Sequence, residues 1–277
     1  MNIYRGMDRV ALDAAYNNSA AVANSSELMA DLRARGDRLR SEMPQHLDLR
    51  YGAAPRNRID YFPAKARGPV VVFIHGGYWQ MRAKEDFSVL ARGPLAHGIG
   101  VAMVGYTLAP DISLDGIAGE IRAAIRWLAE RVDAYGGDAN RLYVAGWSAG
   151  AHLTSIVLDE PAVKGGLAIS GIYDLEPMRW CYINDKLKLD ADQARRLSPL
   201  LHPAPVAVPL MVACGGGELP ELRRQSAEFA AAREREGLPG RFVELGDRNH
   251  FTILEDLVSP AGALTSLLTE LVSIPLK

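Results

Sequence analysis

An α/β fold, with a mostly parallel central sheet flanked by helices, is what this sequence predicts, and two features of its texture carry the expectation. Short uninterrupted apolar runs at residues 70–74, 100–106, 142–145, 166–169 and 209–214 have the length and continuity of strands buried on both faces. Helical patterns at residues 85–97, 117–135, 149–159 and 219–236 separate them. Strand alternating with helix implies right-handed crossovers between parallel neighbours. With 277 residues, 48% of them hydrophobic, the chain suits one large domain spanning 1–277.

Taken in order, residues 8–42 space Leu12, Tyr16, Val22, Leu28, Leu32 and Leu39 among polar residues, with Asn17, Asn18 and Ser25-Ser26 as breaks or caps. Two or three short helices are expected there, within an N-terminal helical cap segment at 1–46. Residues 47–51 and 58–62 alternate like a pair of strands around the turn Gly52-Ala53-Ala54-Pro55, and should make an antiparallel edge. The alternation of strand and helix then runs from Val70 and breaks at 171–208, where Gly171, Pro177, Pro199, Pro203, Pro205 and Pro209 interrupt it. Leu175, Met178, Trp180, Tyr182 and Ile183 give that stretch apolar surface to bury, so it reads as an inserted cap or lid rather than a linker. A last strand at 241–245 precedes a loop holding Asn249-His250 and helical patterns through Leu271.

Composition narrows the class of partner. Lys and Arg total 31 against 33 Asp and Glu, a formal charge of -2 without a long run of either sign, which argues against nucleic acid as a ligand. No apolar stretch approaches the ~18 residues of a membrane helix, and the first nine residues lack the apolar core of an export signal. Cys181 and Cys214 are too few for a disulfide framework and stand in no metal-binding spacing; a cytoplasmic protein with two packing thiols is expected. The expected partner is a small-molecule substrate, with a homodimer left open.

Chemistry is concentrated at Gly146-Trp147-Ser148-Ala149-Gly150-Ala151-His152, a Gly-x-Ser-x-Gly elbow between a strand pattern and a helical one. Such a turn lifts a serine hydroxyl above the sheet and demands small neighbours. Upstream, His75-Gly76-Gly77-Tyr78-Trp79 also follows directly on an apolar run, and can aim backbone N–H groups at the oxyanion formed when Ser148 attacks a carbonyl. The expected donors are Ala149 with one or two of Gly76, Gly77 and Tyr78. A serine hydroxyl needs a base, and the base an orienting carboxylate, in the chain order Ser, acid, His. His250, on the loop after the last strand, is the expected base. Glu218, after Gly215-Gly216-Gly217, is the expected acid, with Glu221 and Asp247 as alternatives. His75 reads as a brace for its loop and His152 as a helix-packing residue. Tyr78, Trp79 and Trp147 are candidate substrate-contacting residues, with packing beneath the loops as the alternative role.

Together the His75–Trp79 loop, the elbow, residues 218–226 and Asn249-His250-Phe251 resemble the kynurenine formamidase (arylformamidase) branch of the α/β-hydrolases. Residues 12–18 and 105–110 add to the resemblance, which spans most of the chain. It implies an α/β-hydrolase fold and a Ser148, Glu218, His250 triad that hydrolyses N-formylkynurenine to kynurenine and formate, with no metal or other cofactor. Two positions depart from that pattern: Glu218 replaces the commoner aspartate, and Trp147 replaces a small polar or imidazole residue. The rival enzymatic reading is a short-chain carboxylesterase of the hormone-sensitive-lipase type. A non-catalytic hydrolase-fold binding protein is the alternative from another class, disfavoured by the retained His250.

Overall fold

The computed structural model describes residues 3–276; Met1 and Asn2 of the expected cap segment, and Lys277 at the end of the expected domain, lie outside the described residues. Three helices open the chain: α1 (Arg9–Ala15), α2 (Asn18–Ala21) and α3 (Ser25–Glu42). Asp8 and Asn17 start the first two by accepting the backbone N–H groups of Ala11 and Ala20. The third is longer than the short helices expected. Ser25 and Ser26 open it rather than interrupt it, and Met29, Leu32, Gly36 and Leu39 recur along its buried face.

One sheet runs in the order β1-β2-β4-β3-β5-β6-β7-β8. Its strands are β1 (Leu49–Arg50), β2 (Arg58–Phe62), β3 (Gly68–Ile74), β4 (Gly100–Val104), β5 (Gly137–Trp147), β6 (Val163–Ile169), β7 (Leu210–Gly215) and β8 (Gly240–Leu245). β2 pairs antiparallel with β1 and β4, and all other pairings are parallel, as the alternating and the continuous apolar patterns respectively predict. The helices α4 (Arg92–Ala96), α5 (Leu114–Arg131), α6 (Ala149–Ile156), α7 (Asn184–Leu187), α8 (Ala191–Arg196), α9 (Pro220–Arg235), α10 (Glu255–Val258) and α11 (Ala263–Ser273) follow. Strands β2 to β7 each serve two cores. Val70, Val72 and Ile74 of β3 join the core under α5, α6 and α9, while Val71 and Phe73 join that under α3, α10 and α11. Among the described residues, no helix is long and apolar enough to cross a membrane.

Strand order decides where chemistry can occur. The chain leaves β3 on one side to reach β4 and returns on the other to form β5, so the loops that follow β3 and β5 emerge side by side, with Ile74 paired to Gly146. Such a reversal point is where open parallel sheets bind ligands.

Two sequence expectations change in detail. Residues 85–97 form a 3-10 stretch, Lys84–Ala91, followed by the single short turn of α4. Phe87 through Ala91 are consecutively buried, and a Cβ at Gly93 would meet the Leu257 carbonyl oxygen at 2.3 Å, so the segment is enclosed all round rather than on one helical face. Within 171–208, Leu175, Met178 and Ile183 join the main core, but Trp180 and Tyr182 stay exposed; Trp180 lies against the Arg179 guanidinium, 4.7 Å from its ring centre.

A buried ionic cluster fixes the N-terminal segment to the sheet. Lys84 Nζ reaches Asp48 Oδ1 at 2.7 Å, Asp60 Oδ1 at 2.8 Å and Glu85 Oε1 at 2.6 Å, and Arg40 of α3 pairs with the same Asp60. Asp60 is fully buried between these cations, so its removal strands positive charge in the interior. Asp60→Ala is expected to lower unfolding free energy by about 3 kcal/mol, read from urea denaturation; a loss below about 0.5 kcal/mol, the range of ordinary surface changes, would show that the cluster anchors nothing.

Candidate active site

The elbow forms where β5 passes directly into α6. Ser148 sits at φ 58°, ψ -121°, a conformation that costs a residue with a side chain roughly 1–3 kcal/mol and persists only where its surroundings impose it. Here they do. A Cβ on Gly150 would stand 1.9 Å from the Ile74 carbonyl oxygen, and one on Gly146 2.3 Å from the Gly150 oxygen. The Ser148 N–H is held by the Ile169 carbonyl at 2.8 Å, which pins the turn to β6.

His250 completes a line of hydrogen bonds: its Nε2 lies 3.1 Å from Ser148 Oγ and its Nδ1 2.8 Å from Glu218 Oε2. A carboxylate can only accept, so Nδ1 carries the proton and Nε2 presents its lone pair to the serine hydroxyl. Glu218 is itself oriented by the Gly215 N–H at 2.6 Å and by Ser170 Oγ–H at 2.5 Å, both on Oε1. The other two carboxylates are engaged elsewhere: Glu221 binds Arg224 and accepts from Tyr16, and Asp247 is exposed. Ser170 was not foreseen from sequence; its position at the end of β6, beside Gly171, was the available signal.

Trp147 is corrected from a candidate substrate contact to a support. It is 3% exposed, its Nε1–H donates to the His250 carbonyl oxygen at 2.8 Å, and its ring lies 4.7 Å from the imidazole, between Phe87 and Phe251. A Cβ on Gly76 would meet Trp147 Cε3 at 2.6 Å, so the indole fits under the His75 loop only because that residue is glycine. Trp79 is corrected likewise: fully buried, it turns its ring edge-on to His152 at 5.1 Å and offers no surface to a ligand. Tyr78 is half-buried and remains a candidate wall.

The proposed oxyanion donors are aimed through their carbonyls. In a trans peptide the N–H and C=O point opposite ways, so fixing one fixes the other. The His75 carbonyl accepts from Tyr106 Oη–H at 2.9 Å, the Gly76 carbonyl from His75 Nδ1–H at 2.7 Å, and the Gly77 carbonyl from the N–H groups of Gln80 and Met81, both at 3.0 Å. The partners of those three carbonyls are the N–H groups of Gly76, Gly77 and Tyr78. The Ser148 carbonyl accepts from Ala151 and His152, leaving the Ala149 N–H at the open end of α6. Among the described residues, none of these four N–H groups has a hydrogen-bond partner. His75 thus braces its loop, stacked between Tyr106 and Phe87. Burial lowers its pKa to about 4, as it does for His152, whose Nε2–H donates to the Leu197 carbonyl; both rings are neutral near pH 7. Burial also pushes the Cys181 thiol up to about 11 and that of Cys214 up to about 12, leaving both as packing groups.

The three candidate catalytic side chains are enclosed: Ser148 is 2% exposed, His250 3% and Glu218 7%. Gly77 and Tyr78 are the more open positions of the set. The N-terminal segment closes over this side. Tyr78 Oη donates to the Tyr16 carbonyl and accepts from Asn18, while Asp13 accepts from the Tyr182 N–H and Tyr4 donates to Asp174. The arrangement can supply a proton acceptor for a serine nucleophile, a proton donor for a leaving group and an N–H cradle for a carbonyl oxygen, which is the equipment for acyl transfer.

Known proteins place these features in context. A protein-family model described as BD-FAE matches residues 60–160, the span containing both the His75 loop and the elbow. Kynurenine formamidase from Danio rerio is 33% identical over 257 residues, covering 87% of this chain and 86% of that protein. A crystal structure from Silicibacter sp. superposes with a TM-score of 0.84 at 29% identity, covering 93% of this chain and 98% of that one. An esterase from Pyrobaculum calidifontis shares the fold, with a TM-score of 0.70 at 19% identity over 91% of this chain and 92% of that one.

Two outcomes follow from the geometry. Ser170→Ala removes one of the three groups that hold Glu218 and should lower kcat about tenfold at little cost in KM; an unchanged kcat would mean that Gly215 alone orients the carboxylate. On unfolding, His75 and His152 return from about 4 toward 6.5. Their contribution to stability is therefore intact above about pH 6.5 and is lost as the pH falls toward about 4, because there the unfolded chain binds protons that the folded chain does not. His152→Gln should flatten the decline of unfolding free energy over that window by up to about 1.4 kcal/mol per pH unit; an unaltered slope would show that His152 is not buried as a neutral ring.

Proposed function

The chain belongs to the kynurenine formamidase family of α/β-hydrolases, and from that membership we propose that it cleaves a small aryl formamide of the N-formylkynurenine type through a formyl ester on Ser148. It is a hydrolase of formamide or ester substrates. In the proposed reaction, His250 Nε2 takes the Ser148 proton as Oγ attacks the formyl carbon, and the resulting oxyanion is received by the N–H of Ala149 with those of Gly76, Gly77 or Tyr78. Collapse breaks the C–N bond, and the proton on Nε2 passes to the departing arylamine nitrogen. Water, deprotonated in turn by His250, attacks the formyl ester, and formate leaves as Ser148 recovers its proton. Glu218 keeps the proton on Nδ1 and stabilises the imidazolium in both steps.

The observation that supports the choice of formyl over larger acyl groups is the burial of Ser148, only 2% exposed. The aryl part would lie toward Tyr78. The N-terminal segment and residues 171–208 would act as a two-part cap, since they are joined through Asp13 to Tyr182 and Tyr4 to Asp174, and both Tyr16 and Tyr182 lie beside Tyr78.

Turnover of formanilide, acetanilide, phenyl formate and phenyl acetate tests the reading. Each formyl substrate should exceed its acetyl counterpart in kcat/KM by more than about tenfold; equal or faster acetyl turnover would make the protein a broader short-acyl esterase. Glu218→Gln should lower kcat by at least about a hundredfold, whereas Glu221→Gln should change it by less than about threefold. The reverse ranking would move the acid.

A further inference from the structure

Away from the triad, the fold encloses a charge that the chain itself does not balance. Asp60, Lys84, Glu160 and Asp256 are buried against opposite charges, and Glu218 against His250. Arg233, in the last turn of α9 and 3% exposed, is the buried charged side chain without such a partner among the described residues. Its Nη2 donates to the carbonyl oxygens of Val208 at 3.2 Å and Pro239 at 3.1 Å, which orient the guanidinium without neutralising it. Burial lowers its pKa to about 10, whereas Arg122 and Arg224, burial notwithstanding, are raised by their carboxylate partners. The group therefore stays charged near pH 7, and an uncompensated cation in the interior is costly.

The same arginine borders a cavity of about 640 Å³ between α9 and the strands β7 and β8. The space originates in the sequence of α9, where Ala227, Ala230 and Ala231, spaced i, i+3 and i+4, turn one small face toward the sheet. Val212 and Phe242 line the opposite wall; they are partners in the parallel register and so share a face. Val208 and Pro239 lead into β7 and β8, whose first residues also border the cavity, which places the guanidinium at its floor. The mouth is open: Phe242 is 36% exposed, and a Cβ at Gly237 would meet nothing within 4 Å. Glu234 and Arg241 stand exposed at this rim, and Arg241 is already paired with Glu270. Glu218 follows the last residue of β7, so the cavity lies at the other end of the sheet from the triad.

An apolar-walled cavity with one unneutralised cation at its floor is complementary to a single class of small molecule. We propose that this cavity is a second binding site, which takes a monocarboxylate with an apolar body, its carboxylate on Arg233 and its tail between the alanine face of α9 and Phe242. Only Nη2 is used in the bonds to Val208 and Pro239, so the guanidinium keeps donors for a carboxylate. The ligand supplies the negative charge that the chain omits. The site is independent of the reaction at Ser148 and of the formamidase reading.

Titration calorimetry of the wild-type chain with octanoate, benzoate, octanamide, benzamide and acetate tests the assignment. At least one of the two larger acids should bind about tenfold or more tightly than its own amide, which lacks the charge, and than acetate, which lacks the tail. The tighter of the two identifies the tail as aliphatic or aromatic. Arg233→Met should abolish the preference for acid over amide. Ala231→Phe, which fills the cavity and leaves the guanidinium in place, should weaken binding of the preferred acid at least about tenfold. The wild-type comparison and Ala231→Phe read the site without requiring Arg233→Met to fold. Equal binding of acid and amide, or no binding of either acid up to about 10 mM, would overturn the proposal. Acid binding that Ala231→Phe leaves unchanged would place the ligand elsewhere on the protein and overturn it equally.

Discussion

The left-handed backbone at Ser148 is the constraint from which the rest of the site follows. To hold a serine at φ 58° the chain must pass through a turn with almost no room around it, and Gly146 and Gly150 supply that room by lacking the Cβ atoms that would strike the Gly150 and Ile74 carbonyls. The same close approach brings β5 and α6 against the end of β3. Because β3 and β5 are neighbours at the point where the strand order reverses, the loop after β3 is delivered to the mouth of the elbow. The strain at one residue is thus maintained by a sheet topology that also places the proposed oxyanion loop.

Trp147 joins the two halves of this arrangement. Its indole lies under Gly76 on one side and bonds the His250 carbonyl on the other, so one side chain sets the height of both the proposed N–H cradle and the proposed base relative to Ser148. Ser170, Tyr106 and His75 act in the same manner on Glu218 and on the loop carbonyls. None of these groups need touch a substrate. Their effect is to remove reorganisation from the reaction, because every donor and acceptor already has its direction before a ligand arrives.

How much of this was visible in the sequence depended on whether local chemistry or distant packing decided the position. The parallel strands were visible because burial on both faces leaves continuous apolar runs, and the antiparallel edge because β2 sits beside a two-residue outer strand. Ser148, His250 and the paired glycines were legible from turn chemistry and chain order. Glu218 could be separated from Glu221 and Asp247 only in three dimensions, since three nearby carboxylates look alike until Arg224 and Tyr16 are seen to occupy one and solvent another. Trp147 and Trp79 read as pocket residues because their neighbours in sequence are functional; their rings are instead packed by Phe87, Phe251 and His152, which are remote in the chain. The 3-10 stretch at Lys84–Ala91 escaped for the same reason, being enclosed by α3 and α10 rather than shaped by its own propensity.

Fluorophosphonate labelling, with the adduct mapped by peptide mass spectrometry, tests most directly whether Ser148 is a nucleophile activated by His250 and Glu218. The account predicts a single adduct on Ser148, formed together with loss of hydrolysis, and formed far more slowly in Glu218→Gln. Inactivation that leaves Ser148 unmodified, or labelling at the same rate in Glu218→Gln, would contradict it.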